Sequence, residues 1–353
     1  MSSLENPHHL SPALNTLPPA KAPRWAPAAT LLLLAPLIAE VLFGATRISV
    51  IFVLIPEIMV WGCGALLVRE AVARWRAGRA SMILLGLALA MAEECVIQQT
   101  SLAPLVGAQH VYGRYLGVNW VYLLALLIYE CVWVVLVPVE ITELIYDRVR
   151  GQPWLKVPGL VISGAVFLVG SFIAWFLWTQ RARPMVFHVP KYNPPARAIA
   201  IALACIMLLV FLAYGLRGFR LARPVATRQA LHPSLLGVAG CLLSIPCFML
   251  IVVAYGGSPN LPLWIPLAGG IVYALISLLL VRRWASSADF SELHRFALAF
   301  GALIANMSAG FIVLAAGALM IDWIGKSLLN VIAVVLMVML GHRIRRRSAS
   351  LPS

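Results

Sequence analysis

The chain has 353 residues, of which 62% are hydrophobic and only 11% are charged. Soluble domains are about half apolar and about a quarter charged, so this composition excludes a soluble globular protein and requires a lipid bilayer as solvent. The net charge of +14 could suggest a nucleic-acid partner. The basic residues instead form short clusters between apolar runs, as the positive-inside rule expects of a membrane protein, so we expect no nucleic acid.

The six cysteines fall inside apolar runs, and no Cys/His spacing of the zinc type is present. They are Cys63, Cys95, Cys131, Cys205, Cys241 and Cys247. They read as small hydrophobes, and we expect no disulfide framework, metal or other cofactor.

Residues 1–27 are polar and rich in proline, without an apolar period, which predicts a disordered cytoplasmic tail. The apolar run 28–46 contains Glu40 and lacks a convincing cleavage site, so it predicts a retained first membrane helix. Further apolar segments, each close to the length of about 20 residues that spans a bilayer, lie near 49–68, 80–106, 119–146, 158–180, 197–216, 234–255, 263–281, 297–320 and 327–341.

These segments predict an all-α, polytopic transmembrane helix bundle of about ten spans over residues 28–341. Acidic helices occupy 28–146 and apolar helices 158–341, and a basic cytoplasmic tail covers 342–353. Most basic residues fall on one set of alternating loops when both termini are placed in the cytoplasm. The exception is the proline-rich loop after the fifth span, which puts Arg181 and Arg183 outside.

Carboxylates are rare in membrane helices because each costs roughly 2.5–3.5 kcal/mol at the helix centre, and those present pair, face the bundle interior or bind protons or ions. Five occur here at comparable depth: Glu40, Glu57, Glu93, Glu94 and Glu130. The depths are compatible with one shared cavity. A lone acid such as Glu40 or Glu57 could equally be a protonated partner of a neighbouring helix.

Glu93 and Glu94 are the strongest candidates for chemistry. Two adjacent acids cannot both be charged cheaply in a medium of low dielectric, so one is expected to hold a proton while the other acts as a base. With about 3.6 residues per helical turn, Glu94, Gln98 and Ser101 stack on one face, and Glu93 and Thr100 lie on the next. Glu130 is the third catalytic candidate.

The loop before the fourth span adds polar groups at the outer end of the helix face that carries Glu94 and Gln98. His110 and Arg114, with Gln98, Glu57 and Glu40, are candidates for binding or orienting a substrate. The aromatic residues of the same loop fit an interfacial aromatic belt.

The run Glu93-Glu94, followed by Gln98, Leu102 and Pro104, resembles the first motif of the CPBP (Abi) intramembrane proteases. In that family one glutamate activates water, and histidines from two later helices complete the site. This chain has Gln98 where the family has arginine. Its FxxxH string, from Phe290 to His294, falls in a predicted cytoplasmic loop rather than in a helix.

The stretch from Tyr112 to Trp120, with Ile128-Tyr129-Glu130 and Pro153-Trp154-Leu155, is similar to uncharacterised bacterial multi-pass proteins. That resemblance implies a location in the bacterial cytoplasmic (inner) membrane. Several of those proteins have histidine at the position of Glu130, so an acid there argues against a metal-dependent activity.

Three functions remain open. The first is a CPBP-like intramembrane hydrolase or protease, in which Glu94 and Glu93 activate water for attack on a membrane-embedded or small-molecule substrate. The second is a proton-coupled transporter that uses the same acids. The third is a non-catalytic membrane scaffold whose glutamates only join helices. Enzymatic activity is therefore undecided by the sequence.

Overall fold

The structure is a computed structural model that describes residues 25–109, 111–218, 229–315 and 317–349. Within these ranges, nine helices are long and apolar enough to cross a membrane, and a shorter apolar helix, α1, covers Ala26–Val41. The nine are α2 Ile48–Arg74, α3 Arg79–Ile97, α4 Trp120–Ile145, α5 Val157–Met185, α6 Ala196–Gly218, α7 Pro233–Ala254, α8 Trp264–Ala285, α9 Glu292–Leu314 and α10 Met320–Ala349. The all-α fold and the multi-pass membrane class are confirmed.

Most predicted spans correspond to one of these helices, with differences at the ends. The predicted first span is a helix, but α1 has 11 α-helical and 5 π-helical residues. At 1.5 Å per residue it is about 24 Å long, short of a hydrocarbon core of about 30 Å. The final helix continues to Ala349, so much of the predicted basic tail is helical. Residues 1–24 of the predicted amino-terminal tail lie outside the described residues.

The predicted third span ends much earlier than expected. It was predicted to continue to residue 106, but α3 ends at Ile97, and Gln99 has a left-handed backbone with φ of 59°. Residues 99–103 are nevertheless buried without being helical. Irregular backbone is tolerated inside a membrane protein only where protein or a water-filled cavity satisfies its polar groups. A two-stranded hairpin, β1 (Arg114–Tyr115) with β2 (Val118–Asn119), follows this segment.

Helix α4 lies at the centre of the bundle. Of its apolar 18-residue stretch, 61% is buried inside the bundle, against 11% for the corresponding stretches of α6 and α8. Helix α4 packs against α1, α3, α7 and α9. The closest helix pair is α7 with α9, where Gly240 lies against the backbone of Leu298 and Gly301 against that of Gly237. Small residues allow such close approach of two helices in a membrane protein.

A network of ion pairs joins the helix ends opposite the hairpin. Arg69 lies 3.1 Å from Glu70 and 3.2 Å from Glu143, and its guanidinium stacks 3.5 Å over the Trp154 ring. Glu140 pairs with Arg295 in the same region. Glu140 and Glu143 are thus held by basic groups at a membrane surface, apart from the other acids.

Candidate functional site

Three of the predicted catalytic residues meet in the interior of the bundle. Glu93 and Glu94 from α3 and Glu130 from α4 each place a carboxylate oxygen within 4.8 Å of the other two. We call these three residues the carboxylate cluster. Their exposed fractions are 2%, 2% and 4%, so the cluster is almost completely removed from bulk solvent.

Glu93 and Glu94 lie towards the end of α3, whereas Glu130 lies near the middle of α4. Glu93 is four residues from the end of α3 and Glu130 ten residues from the start of α4, or about 6 and 15 Å along the helix axes. The site therefore lies below the hairpin rather than at the middle of α3.

The helices that carry these acids depart from α geometry at the acids themselves. The π-helical segment Glu93–Ile97 contains Glu93 and Glu94, and Cys131–Leu136 begins immediately after Glu130. The same holds for Glu40, inside Leu37–Val41, and for Glu57, immediately before Ile58–Gly62. Such π-bulges are rare and occur frequently at functional sites. In this chain a π-helical segment contains or directly follows each of the five acids that the sequence singled out.

Ser101 is the closest polar neighbour of Glu94. Its Oγ donates a hydrogen bond to Glu94 Oε2 at 2.7 Å, and its main-chain N–H donates to the Glu94 carbonyl at 3.1 Å. The sequence predicted that the two residues share a helix face. The predicted shared helix face is wrong, because α3 ends at Ile97. Residues 99–103, which we call the fold-back, instead turn back towards α3 and bring Ser101 to Glu94.

The fold-back is held by side chains that bond to its carbonyl groups. Asn119 Nδ2 donates to the carbonyls of Thr100 and Ala103, and its main-chain N–H donates to that of Ser101. Arg114 donates to the Leu102 carbonyl at 2.7 Å. The hairpin thus provides the donors that an unwound segment needs inside a membrane.

Glu40 and Glu57 lie close to the cluster but outside it. Glu40 is close enough to Glu57, Glu93 and Glu94 for direct electrostatic interaction. Glu57 is 4% exposed and accepts a hydrogen bond from Thr46 Oγ1. The five predicted acids thus lie in one region of the bundle, and three of them form the cluster.

Aromatic side chains line the two sides of this group. Tyr122 and Tyr255 make an edge-to-face contact at 5.8 Å, and both are near Glu94. On the side of Glu40, Tyr129 donates to the Ala39 carbonyl and stacks at 5.1 Å on Trp133. These aromatic contacts form part of the packed surroundings of the acids.

The remaining predicted residues are not all in the site. Gln98 is half-buried at the end of α3, and its main-chain N–H donates to the Glu93 carbonyl. The Arg114 guanidinium bonds to Leu102 and Asn119, so it supports the fold-back. His110 lies outside the described residues. His294, the histidine of the FxxxH string, lies in the first turn of α9 and stacks on Phe290. This is the end of the bundle where Glu140 pairs with Arg295, away from the carboxylate cluster.

Sequence reasoning did not assign roles to Asn119, Thr46 or Arg183. Arg183 was predicted in an outer loop, yet it is 3% exposed and donates to the carbonyls of Pro104 and Pro190. The available signal was weak: a polar run from Gln98 to Ser101 before Pro104, which favours a helix end. Partners so far apart along the chain leave no local pattern.

No protein-family model, curated protein or solved structure matches the chain. The resemblance to the CPBP proteases therefore gains no support from these comparisons. The fold and the site define the class on their own: an integral, multi-pass membrane protein in contact with lipid, with a buried acidic cluster of Glu93, Glu94 and Glu130.

Proposed function

We propose that this protein is an intramembrane hydrolase in which the carboxylate cluster activates a water molecule. The observation that carries the proposal is the meeting of three buried carboxylates beside an unwound, buried segment. Carboxylates that only join helices need a donor as partner. Glu93 Oε1 and Glu130 Oε2 are buried and no hydrogen-bond donor reaches them among the described residues.

In this proposal Glu94 is the base that takes the proton from water as the water attacks a carbonyl carbon of the substrate. The Ser101 hydroxyl orients Glu94 through its bond to Oε2. Glu93, which is within hydrogen-bonding reach of Glu94 and Glu130, passes the proton to the leaving group. The substrate is an amide or ester held within the membrane and oriented with the help of Gln98, Glu57 and Glu40, while Arg114 contributes indirectly by holding the Leu102 carbonyl. A role for His110 remains part of the sequence-based hypothesis.

The protein is proposed to reside in a bacterial cytoplasmic membrane with both termini in the cytoplasm. The hairpin and the site below it then face outward. A substrate would reach the cluster from the outer leaflet or from the outer aqueous phase.

The test reconstitutes purified wild-type and variant proteins into proteoliposomes together with a mixture of membrane proteins and lipids. Mass spectrometry then compares the hydrolysis products that each protein releases. Glu94→Gln should lower product formation by about 10²–10⁴-fold, the usual contribution of a positioned base. Glu292→Gln, at the start of α9, makes the same chemical change outside the cluster and should leave product formation intact. Equal product profiles for wild type and Glu94→Gln would refute the proposal.

A proton-coupled transporter is the second candidate, and the presence of Glu57 and Glu40 in the neighbourhood of the cluster favours it. Linked carboxylates can relay protons through a membrane. Proteoliposomes with an internal pH dye should then show a proton flux that Glu40→Gln abolishes. If neither products nor flux depend on the glutamates, while Glu→Gln changes alter the stability, the scaffold function remains.

A further inference from the structure

We propose that the carboxylate cluster binds a divalent cation that prefers oxygen ligands, of the calcium, manganese or magnesium class. The inference deepens the proposed function, because it assigns a cofactor to the same site. It departs from the sequence, which predicted no metal. Four structural observations carry it.

The first observation is the spacing of the ligand atoms. Two oxygens bound to one calcium ion, each at 2.3–2.6 Å, are at most about 5 Å apart, and for magnesium, at 2.0–2.1 Å, at most about 4 Å. The cluster oxygens lie within 4.8 Å of one another. A spacing of this order is close to what one calcium ion requires, and the smaller cations require the carboxylates to approach one another further.

The second observation is the chemical type of the unpartnered atoms. Glu93 Oε1 and Glu130 Oε2 are buried, and so are Glu57 Oε2 and Gln99 Oε1 on the adjoining segments, and none of the four has a hydrogen-bond partner within the described part of the chain. All four are acceptors. The partner that suits such a group must bring positive charge or several donors, and a hydrated cation brings both.

The third observation is the distribution of positive charge. The ion pairs in the described part of the chain lie elsewhere, at Glu70, Glu140, Glu143, Asp147 and Glu292. None joins a basic side chain to Glu93, Glu94 or Glu130. Buried charges are normally paired or coordinate a metal, and a divalent cation would offset two of the three carboxylate charges.

The fourth observation is the backbone of α3 at the cluster. Neighbouring residues of an ordinary α-helix do not face each other, yet the carboxylates of Glu93 and Glu94 meet at one point. The π-helical segment Glu93–Ile97 and the fold-back that fixes Glu94 through Ser101 accompany this convergence. One helix thereby supplies two ligands and Glu130 supplies the third from α4. Carboxylates and water are the ligands that suit calcium, manganese and magnesium.

The experiment uses the full-length protein in detergent or lipid nanodiscs, treated with a chelator and then titrated with Mn²⁺, Ca²⁺ or Mg²⁺. Free Mn²⁺ is counted by electron paramagnetic resonance, and thermal unfolding is recorded with each cation. Wild type should bind about one Mn²⁺ per chain, which Ca²⁺ displaces, and its unfolding temperature should rise. Glu130→Gln and Glu93→Gln should each weaken binding at least about tenfold, since each removes a charged ligand.

Glu292→Gln is the matched control and should bind Mn²⁺ as wild type does. The proposal is overturned if chelated wild type binds no Mn²⁺, or if Glu93→Gln and Glu130→Gln bind it with unchanged affinity. Because binding is measured directly on wild type, poor folding of one variant does not obscure the answer. Cation binding without any hydrolysis would reject the proposed hydrolase alone, whereas full hydrolysis after chelation would reject the cation as a cofactor of that hydrolase.

Discussion

The Ser101 hydroxyl donates to Glu94 Oε2 across 2.7 Å, although the helix that carries Glu94 ends four residues before Ser101. The bond closes a short loop inside the bundle and fixes the orientation of a buried carboxylate. It therefore makes both the stability of the fold-back and the geometry of the cluster depend on one hydroxyl group.

Replacing Ser101 with alanine should lower the free energy of unfolding by about 1.5–3 kcal/mol, the range for a hydrogen bond to a charged group. Thermal unfolding in detergent measures this change. Ser244→Ala is the control, because Ser244 is also buried but bonds only to the Gly240 carbonyl of its own helix. An equal loss of unfolding free energy in both variants would show that the Ser101 bond to Glu94 stabilises the protein no more than a bond within one helix.

Asn119→Leu should release the fold-back without removing any acid. The change deletes the Nδ2 donor that serves Thr100 and Ala103 and leaves buried carbonyls unsatisfied, at about 1–3 kcal/mol each. Hydrogen exchange should accelerate across residues 99–103 and stay unchanged in α9. Asn193→Leu, which alters an exposed bond to Gln180, provides the comparison. Unchanged exchange at 99–103 would contradict the assigned role of Asn119.

Arg69→Met should destabilise the other end of the bundle. Arg69 is 1% exposed and pairs with Glu70 and Glu143, and removal of one partner of a buried ion pair costs about 3–5 kcal/mol. The exposed Arg148 offers the control Arg148→Met, with an expected change within about 0.5 kcal/mol. Denaturant or thermal unfolding distinguishes the two, and similar values would mean that the network contributes little.

Membrane orientation can be measured with single cysteines. Val111→Cys, at a position 89% exposed beside the hairpin, should react with a membrane-impermeant maleimide in intact cells. Ala288→Cys, in the exposed loop between α8 and α9, should react only after the cells are opened. Wild type reports the background from its six native cysteines. The reverse pattern would invert the predicted orientation.

Much of the architecture could be predicted from sequence because membrane insertion is a local property. About 20 apolar residues define a helix wherever they occur in the chain, so α2 and α4 to α10 appear close to their predicted places. The exceptions are instructive. α1 is short, and α3 ends at Ile97, where the backbone becomes left-handed at Gln99 and the carbonyls of Thr100 and Ser101 accept hydrogen bonds from Asn119 of the hairpin.

The sequence alone determined which residues are costly in a membrane, and therefore that Glu93, Glu94 and Glu130 need partners. The tertiary structure decided what those partners are. Glu130 is 36 positions or more from the other two acids, and Asn119 reaches Thr100 across 19 positions, so neither contact follows from helical spacing. The hydrophobicity of each segment is a local property of its sequence. The meeting of the three carboxylates depends instead on how the helices pack and where α3 ends.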